Sequence, residues 1–350
     1  MNHLSEMNIN SKANYKKIIY RKRIICIFLV ALVILSFIVD ISTGASRLHI
    51  SEVVKSLLDA DSVSERTNTI VRIIRLPIAT MAILVGACLA IAGMEMQTIL
   101  NNSLASPYTL GISSAASFGA ALSLIFGYAF LPNSMNNFST PIFAFTFSLI
   151  SAFFIYTIGK TKKDRGTIIL TGIAINFMFS ALNSLLKYFV PDEVLRGITN
   201  WSQGSILGAN WQQNSIIFIV FVTVTPILFK QSWKLTTLCM GENTAAALGI
   251  DVEKLRTRVL ILASLITSIA VCFVGTVGFV GLVSPYIAKS LVGEEQRFFI
   301  PASMLTGALI LSISSVLSKV AVAGLQIPLG IITSIIGIPF LIVLILRQGR

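Results

Sequence analysis

Asn176, Ser180, Asn183 and Lys187 recur at intervals of four, three and four, which sets four polar side chains on one face of a single helix in an otherwise apolar stretch. Such groups are costly at bilayer depth and face a cavity or a partner helix there. Spacing alone leaves both readings open, a pathway face or helix-to-helix hydrogen bonds, and Lys187 can also snorkel to the membrane surface. Covalent chemistry has less to work with. The two histidines, His3 and His49, have no Cys, Asp or Glu cluster beside them, so no metal site is expected. Cys26, Cys88, Cys239 and Cys272 lie in or beside apolar segments without metal-ligand spacing and read as packed thiols. Gly159-Lys160-Thr161 has the ending of a phosphate loop, yet Phe154 stands where the leading glycine belongs. No catalytic residue, cofactor or nucleotide site is expected, and energy for any active transport must come from an ion gradient or another subunit.

The elements that carry these residues are membrane helices. Of 350 residues 55% are hydrophobic and 12% charged, with a mean hydropathy of +0.83, which excludes an ordinary soluble domain. Runs long enough to span a bilayer recur near 24–42, 76–96, 108–131, 141–159, 167–189, 214–229, 259–278, 280–292, 300–322 and 328–346, the eighth being short. An all-α polytopic membrane protein with about ten transmembrane helices is expected. Ala82, Gly86, Ala90 and Gly93 form a small-residue stripe after Arg75-Leu76-Pro77, suited to close helix packing.

A net charge of +12 could suggest nucleic acid, but its distribution speaks for orientation instead. Nineteen of the 27 Lys and Arg residues fall on one side, in Lys12 to Arg23, Lys160 to Arg165, Lys230 to Arg258, Lys289 to Arg297 and the tail with Arg347 and Arg350. The positive-inside rule makes that side, and both termini, cytoplasmic. Residues 1–23 form a basic cytoplasmic segment and 24–350 one transmembrane domain. The first run is too long, and followed by too many others, for a signal peptide ending near Thr43-Gly44-Ala45-Ser46.

Two short polar segments interrupt this pattern. Pro191-Asp192-Glu193 opens a short surface helix, with Trp201 and Trp211 expected at the outer interface. On the opposite side Met240 to Ile250 reads as a compact helix, started by Glu242 or Asn243 and ended by Gly249, whose small face suits docking against another protein.

Several ordered motifs over residues 50 to 350 resemble the permeases of iron-siderophore, haem and cobalamin importers. They are Arg75-Leu76-Pro77, Leu84-Val85-Gly86-Ala87, Asn102-Ser103-Leu104-Ala105-Ser106-Pro107, Trp201-Ser202-Gln203-Gly204-Ser205, Ala247-Leu248-Gly249-Ile250, Gly278 to Pro285, Ile327-Pro328-Leu329-Gly330-Ile331 and Gly337-Ile338-Pro339-Phe340. The resemblance implies a type II ATP-binding-cassette importer in the cytoplasmic membrane: a second permease subunit, homo- or heterodimeric, two cytoplasmic ATPases and an extracytoplasmic binding protein, with no nucleic-acid partner. It makes Asn176, Ser180 and Asn183 a translocation face. It makes Gly241, Glu242, Ala245, Ala246, Ala247, Leu248 and Gly249 the ATPase contact, and Arg75 and Lys319, with Arg72 compensating for Ile78, the docking cations.

Departures occur at Ser103, Ile78, Tyr286 and Lys289. At Ser315 and Gln326 acids are missing, which leaves the corner near Lys319 more cationic than usual for the family. Ferric-siderophore import is the leading expectation, with cobalamin or haem as the alternative. An ion-driven secondary transporter is the reading from a different class, and it would place ionisable groups at the bilayer midplane.

Overall fold

Hydrocarbon offers no hydrogen bonds to a backbone, so an apolar chain of this kind must satisfy its amides internally, as helices. The computed structural model describes residues 2–44, 46, 48–59, 63–130, 138–162, 165–322 and 325–348, which are helical with no strand among them. The elements are α1 (Asn2–Ser42), α2 (Ile50–Leu58), α3 (Glu65–Asn68), a π-helical stretch Thr69–Arg75, α4 (Leu76–Leu100), α5 (Ile112–Phe130), α6 (Ser139–Lys162) and α7 (Arg165–Phe189). Then follow α8 (Asp192–Ser202), α9 (Trp211–Lys230), α10 (Ser232–Cys239), α11 (Glu242–Ala247), α12 (Val252–Val274), α13 (Val280–Val292), α14 (Gln296–Val320) and α15 (Leu329–Gln348).

Among the described residues seven helices are long and apolar enough to cross a membrane, and three shorter apolar ones, Ile112–Gly127, Val280–Val292 and Leu329–Val343, coincide with the remaining apolar runs. The third run begins at Ile112 instead of 108, because Ser106 and Thr109 close a turn on each other's backbone amides at 2.9 and 3.2 Å. Ala45, Arg47, Lys163 and Arg350, which figured in the reading of processing and orientation, lie outside the described residues.

The helix containing the small-residue stripe starts about ten residues before the expected polar edge. Ser64 caps it through the Thr67 amide at 3.2 Å, and Leu76 N–H reaches back five residues to Val71 O. Pro77 supplies no amide and crowds the preceding turn, and the wider π turn ahead of it takes up that defect.

α4 lies at the centre of the bundle, flanked by α12, α13 and α14. Ala82, Gly86, Ala90 and Gly93 are buried, as their spacing predicts. Gly86 meets the Gly307 backbone on α14 and Gly93 meets Gly281 on α13 so closely that a Cβ on either would collide with a carbonyl. α5, α6 and α7 form a second group around Phe118, Phe147 and Phe179, with Phe118 and Phe147 edge to face at 5.2 Å. α1 packs along α14 and is fastened at two points, near its middle and near its C-terminal end: Lys22 Nζ pairs with Glu295 at 2.9 Å, and Asp40 pairs with Lys319 at 2.6 Å. The two pairs come in the same order along both helices, Lys22 before Asp40 and Glu295 before Lys319, so the helices run parallel.

Candidate pathway face, outer junction and coupling surface

The polar stripe of α7 divides between two environments. Asn183 is half-buried and donates from Nδ2 to Ser117 Oγ on α5 at 2.8 Å, while Ser117 and Ser202 at the end of α8 share a hydrogen bond of 2.9 Å. This is the helix-to-helix reading, realised as a three-helix chain. Asn176 is half-buried where the backbone of α7 passes Gly111, and Ser180 is exposed. Around Ser180 the helix leaves Phe177, Met178, Leu182 and Leu185 uncovered, a face that nothing among the described residues occupies.

Beyond α7 three separate segments of sequence converge. Pro191 caps α8, Asp192 and Glu193 fill its first turn, and the chain then meets two distant stretches through backbone bonds. Ser205 N donates to Val274 O at 2.7 Å, Leu329 N to Gly204 O at 3.0 Å and Gly330 N to Gln203 O at 2.9 Å. Gly204, at φ +72°, lies against the Thr276 carbonyl where no side chain fits. The junction ties the short helix to the ends of α12 and α15. Trp201 packs against the main core, whereas Trp211 stays exposed and donates Nε1 to Arg72 O at 3.2 Å.

The expected docking cations surround this junction but are engaged within the chain. Arg75, only 5% exposed, donates Nη1 to Ile41 O at 3.0 Å and Ser42 O at 2.9 Å, and Nη2 to Ser46 O, so it caps the end of α1. Arg72 does the same for α2, reaching Ser56 O from Nε at 2.9 Å and from Nη2 at 2.6 Å. Lys319 is paired with Asp40, their side chains 6% and 0% exposed, and the Ser315 hydroxyl donates to the same Asp40 oxygen at 2.8 Å. The reading of this corner as unusually cationic is therefore corrected. Asp40, from a helix far away in sequence, supplies the acid that positions 315 and 326 lack. Arg75 is an interior group and Lys319 turns its side chain inward because both find acceptors there, while Arg72 is half-buried.

On the basic face the expected compact helix is shorter than 240–250, spanning Glu242–Ala247 between Gly241 (φ +121°) and Gly249 (φ +77°). Glu242 pairs with Arg256 of α12, and Arg256 Nε donates to Ile99 O at the end of α4 at 3.2 Å. The loop is thereby fixed to two central helices. Ala245 is buried beneath it, while Ala246, Ala247, Leu248 and Gly249 face outward beside Met240. Asp251 caps α12 by accepting from Lys254 N at 3.0 Å, and that amide, with the Lys254 side chain, holds the carboxyl below the usual Asp range. No group of three or more His, Cys, Asp or Glu side chains placed to hold a metal occurs among the described residues. Sequence reasoning passed over Asp40, Glu95 and Arg256. The two acids carried a visible signal, a charge inside an apolar run, but their surroundings did not.

Residues 32–347 match the FecCD transport family. The chain belongs to that family. This FecCD permease is 33% identical to the Fe(3+)-citrate import system permease YfmE of Bacillus subtilis, across 94% of this chain and 97% of that one. It is 33% identical to the hemin transport system permease HmuU of Yersinia pestis, across 79% and 82%, and 29% identical to the molybdate import permease MolB of Haemophilus influenzae, across 92% and 95%. Among solved structures, a transporter assigned to the metal-chelate ABC type, in an inward-facing conformation, superposes with a TM-score of 0.80 at 28% identity over 92% of this chain and 99% of that one. The FecCD chain is thus a helical membrane permease of an ABC importer.

Proposed function

We propose that this permease carries ferric siderophores across the cytoplasmic membrane. The observation that carries the reading is the likeness along nearly the whole chain to a ferric-citrate permease and to a metal-chelate transporter. Haem or cobalamin is the second reading, favoured by relatives at 33% identity named for hemin and for vitamin B12. Family membership counts against the ion-driven secondary transporter.

In this reading the ten apolar segments all cross, both termini lie in the cytoplasm, and residues 1–23 form a basic extension there. Two permeases, identical or paralogous, meet along the uncovered face of α7, so that Ser180 borders the path directly while Asn176 and Asn183 line it from between helices. Two ATPases seat on Met240 and on Gly241, Glu242, Ala245, Ala246, Ala247, Leu248 and Gly249. ATP hydrolysis there moves α12 and α4 through the Glu242–Arg256–Ile99 linkage. An extracytoplasmic binding protein lands on the rim formed by α2, α8 and the loop before α15, with Arg72 touching it and with Arg75 and Lys319 shaping the rim from beneath.

The test is uptake of labelled iron on a panel of siderophores and as haem, beside labelled cobalamin and molybdate, with and without this gene. Loss for one ferric chelate alone supports the siderophore assignment. Loss for another substrate keeps the architecture and replaces the cargo.

A further inference from the structure

Glu95 lies near the end of α4 with its side chain fully buried, and neither carboxylate oxygen has a hydrogen-bond partner. One turn further on, Thr98 Oγ1 accepts from Gln296 Nε2 at 3.2 Å, and the same amide nitrogen is 3.9 Å from Cys239 Sγ. Gln296, in the first turn of α14, is also fully buried, and its Oε1 has no donor. Thr98 cannot supply one, since its hydroxyl is directed to Met94 O at 2.9 Å. Burial pushes the Cys239 thiol up, and the carboxylates of Glu294 and Glu95 act in the same direction, which puts Glu95 within electrostatic reach of α10. Thr98, one helical turn from Glu95, thus connects the two residues, and their three acceptor oxygens are all without a donor.

The charged groups around this spot are engaged elsewhere. Arg256 of α12 holds Glu242 and Ile99 O, Lys289 of α13 holds Glu294, and Lys22 of α1 holds Glu295. No cation among the described residues pairs with Glu95. A bare carboxylate in a low-dielectric interior is strongly disfavoured, and an acceptor without a donor adds to the cost.

One formal negative charge beside an excess of neutral acceptor oxygen calls for one positive charge. We propose that Glu95 and Gln296 form a binding site for a single hard monocation, a proton or a sodium ion, open to the basic face of the protein. A cavity of about 270 Å³ adjoins it: Thr98 and Cys239, the two side chains that meet the Gln296 amide, line it together with Asn101, Lys289 and Glu294. As a proton site, a Glu95 oxygen takes H⁺ from hydronium, water departs, and the new O–H donates to Gln296 Oε1. As a sodium site, the carboxylate and the Gln296 carbonyl oxygen are the ligands. With one carboxylate the arrangement is not built for a divalent ion. The site touches the end of α4 and the helix that leads into the coupling loop, and it is independent of which chelate is carried.

Infrared difference spectra of the purified full-length chain in nanodiscs, wild type minus Glu95→Gln, test this in sodium and in choline buffers at neutral pH. A carboxylic-acid C=O band present in both buffers and lost in the variant supports the proton. A carboxylate band that shifts when choline replaces sodium supports the ion. In a Gln296→Leu chain, which keeps Glu95 and needs no folded Glu95 variant, the same band shifts because its partner is gone. An ionised Glu95 indifferent to sodium, or a band unmoved by Gln296→Leu, overturns the proposal.

Discussion

At the scale of single residues, the Asp40–Lys319 pair carries the clearest consequence. Both side chains are buried, so removing one leaves the other charged and unpaired in a poor solvent for charge. Asp40→Asn is expected to destabilise the protein by about 3 to 5 kcal/mol, and Asp40→Asn with Lys319→Met to restore most of that. Thermal unfolding in detergent, followed by fluorescence-detected size exclusion, measures both. The Glu242–Arg256 bridge is different in kind. Its acid is 42% exposed, so Glu242→Gln should cost well under about 1 kcal/mol and be felt in transport instead. Neither partnership could be read from the chain, because Asp40 and Lys319 are 279 residues apart and nothing local ties a charge in the first span to one in the ninth. What was readable was the anomaly itself, an ionisable residue among apolar ones.

At the scale of elements, local chemistry foretold more. The stripe from Ala82 to Gly93 announced close packing because only small side chains admit a neighbouring backbone, and α13 and α14 occupy it. Gly249 announced a helix end, and Pro191 with two acids announced a helix start, since these residues act through their own backbone or first turn. The π turn ahead of Pro77 and the Ser106–Thr109 turn were missed, because each shifts a boundary without changing the hydrophobic pattern.

Two expectations belong to this scale. Ala246→Trp or Ala247→Trp enlarges the outward face of α11 without disturbing buried Ala245, so the assembled transporter should lose coupling, hydrolysing ATP with little uptake. Parallel ATPase and uptake assays on reconstituted complexes decide it, and normal uptake would exclude this face. The Asp251 cap should depend on pH. Its carboxyl sits below the usual Asp value in the folded chain, so its contribution is present above the unfolded value, about 4, and fades as pH falls through the folded one. The protection of the Val252 to Leu255 amides, taken relative to their intrinsic exchange rate at each pH, should fall in acid, and Asp251→Ala should show the lowered protection already at neutral pH.

At the scale of the molecule, two packed groups stand out, α4 with α13, α14 and α1, and α5 with α6 and α7, with α12 lying between them against both α4 and α6. In the first, glycine contacts and two ion pairs, one of them buried, hold the helices in register. In the second, α7 keeps an uncovered apolar face, the one proposed above to meet a second permease. Spin labels at the ends of α1 and α14 should therefore keep a constant separation across nucleotide states, while labels on α1 and α7 change theirs. Pulsed dipolar spectroscopy reads both distances, and a shift within the first pair would contradict the packing. The composition and apolar runs gave this grouping no voice, since hydropathy reports which helices enter the membrane and not which of them travel together.

The two ion pairs on α1, at Lys22 and Asp40, are separated by 18 positions, about 27 Å of helix. A rod pinned at two points to a parallel rod cannot slide along it like a piston, so α1 and α14 behave as a single laminated strut, and any motion of one is shared by the other.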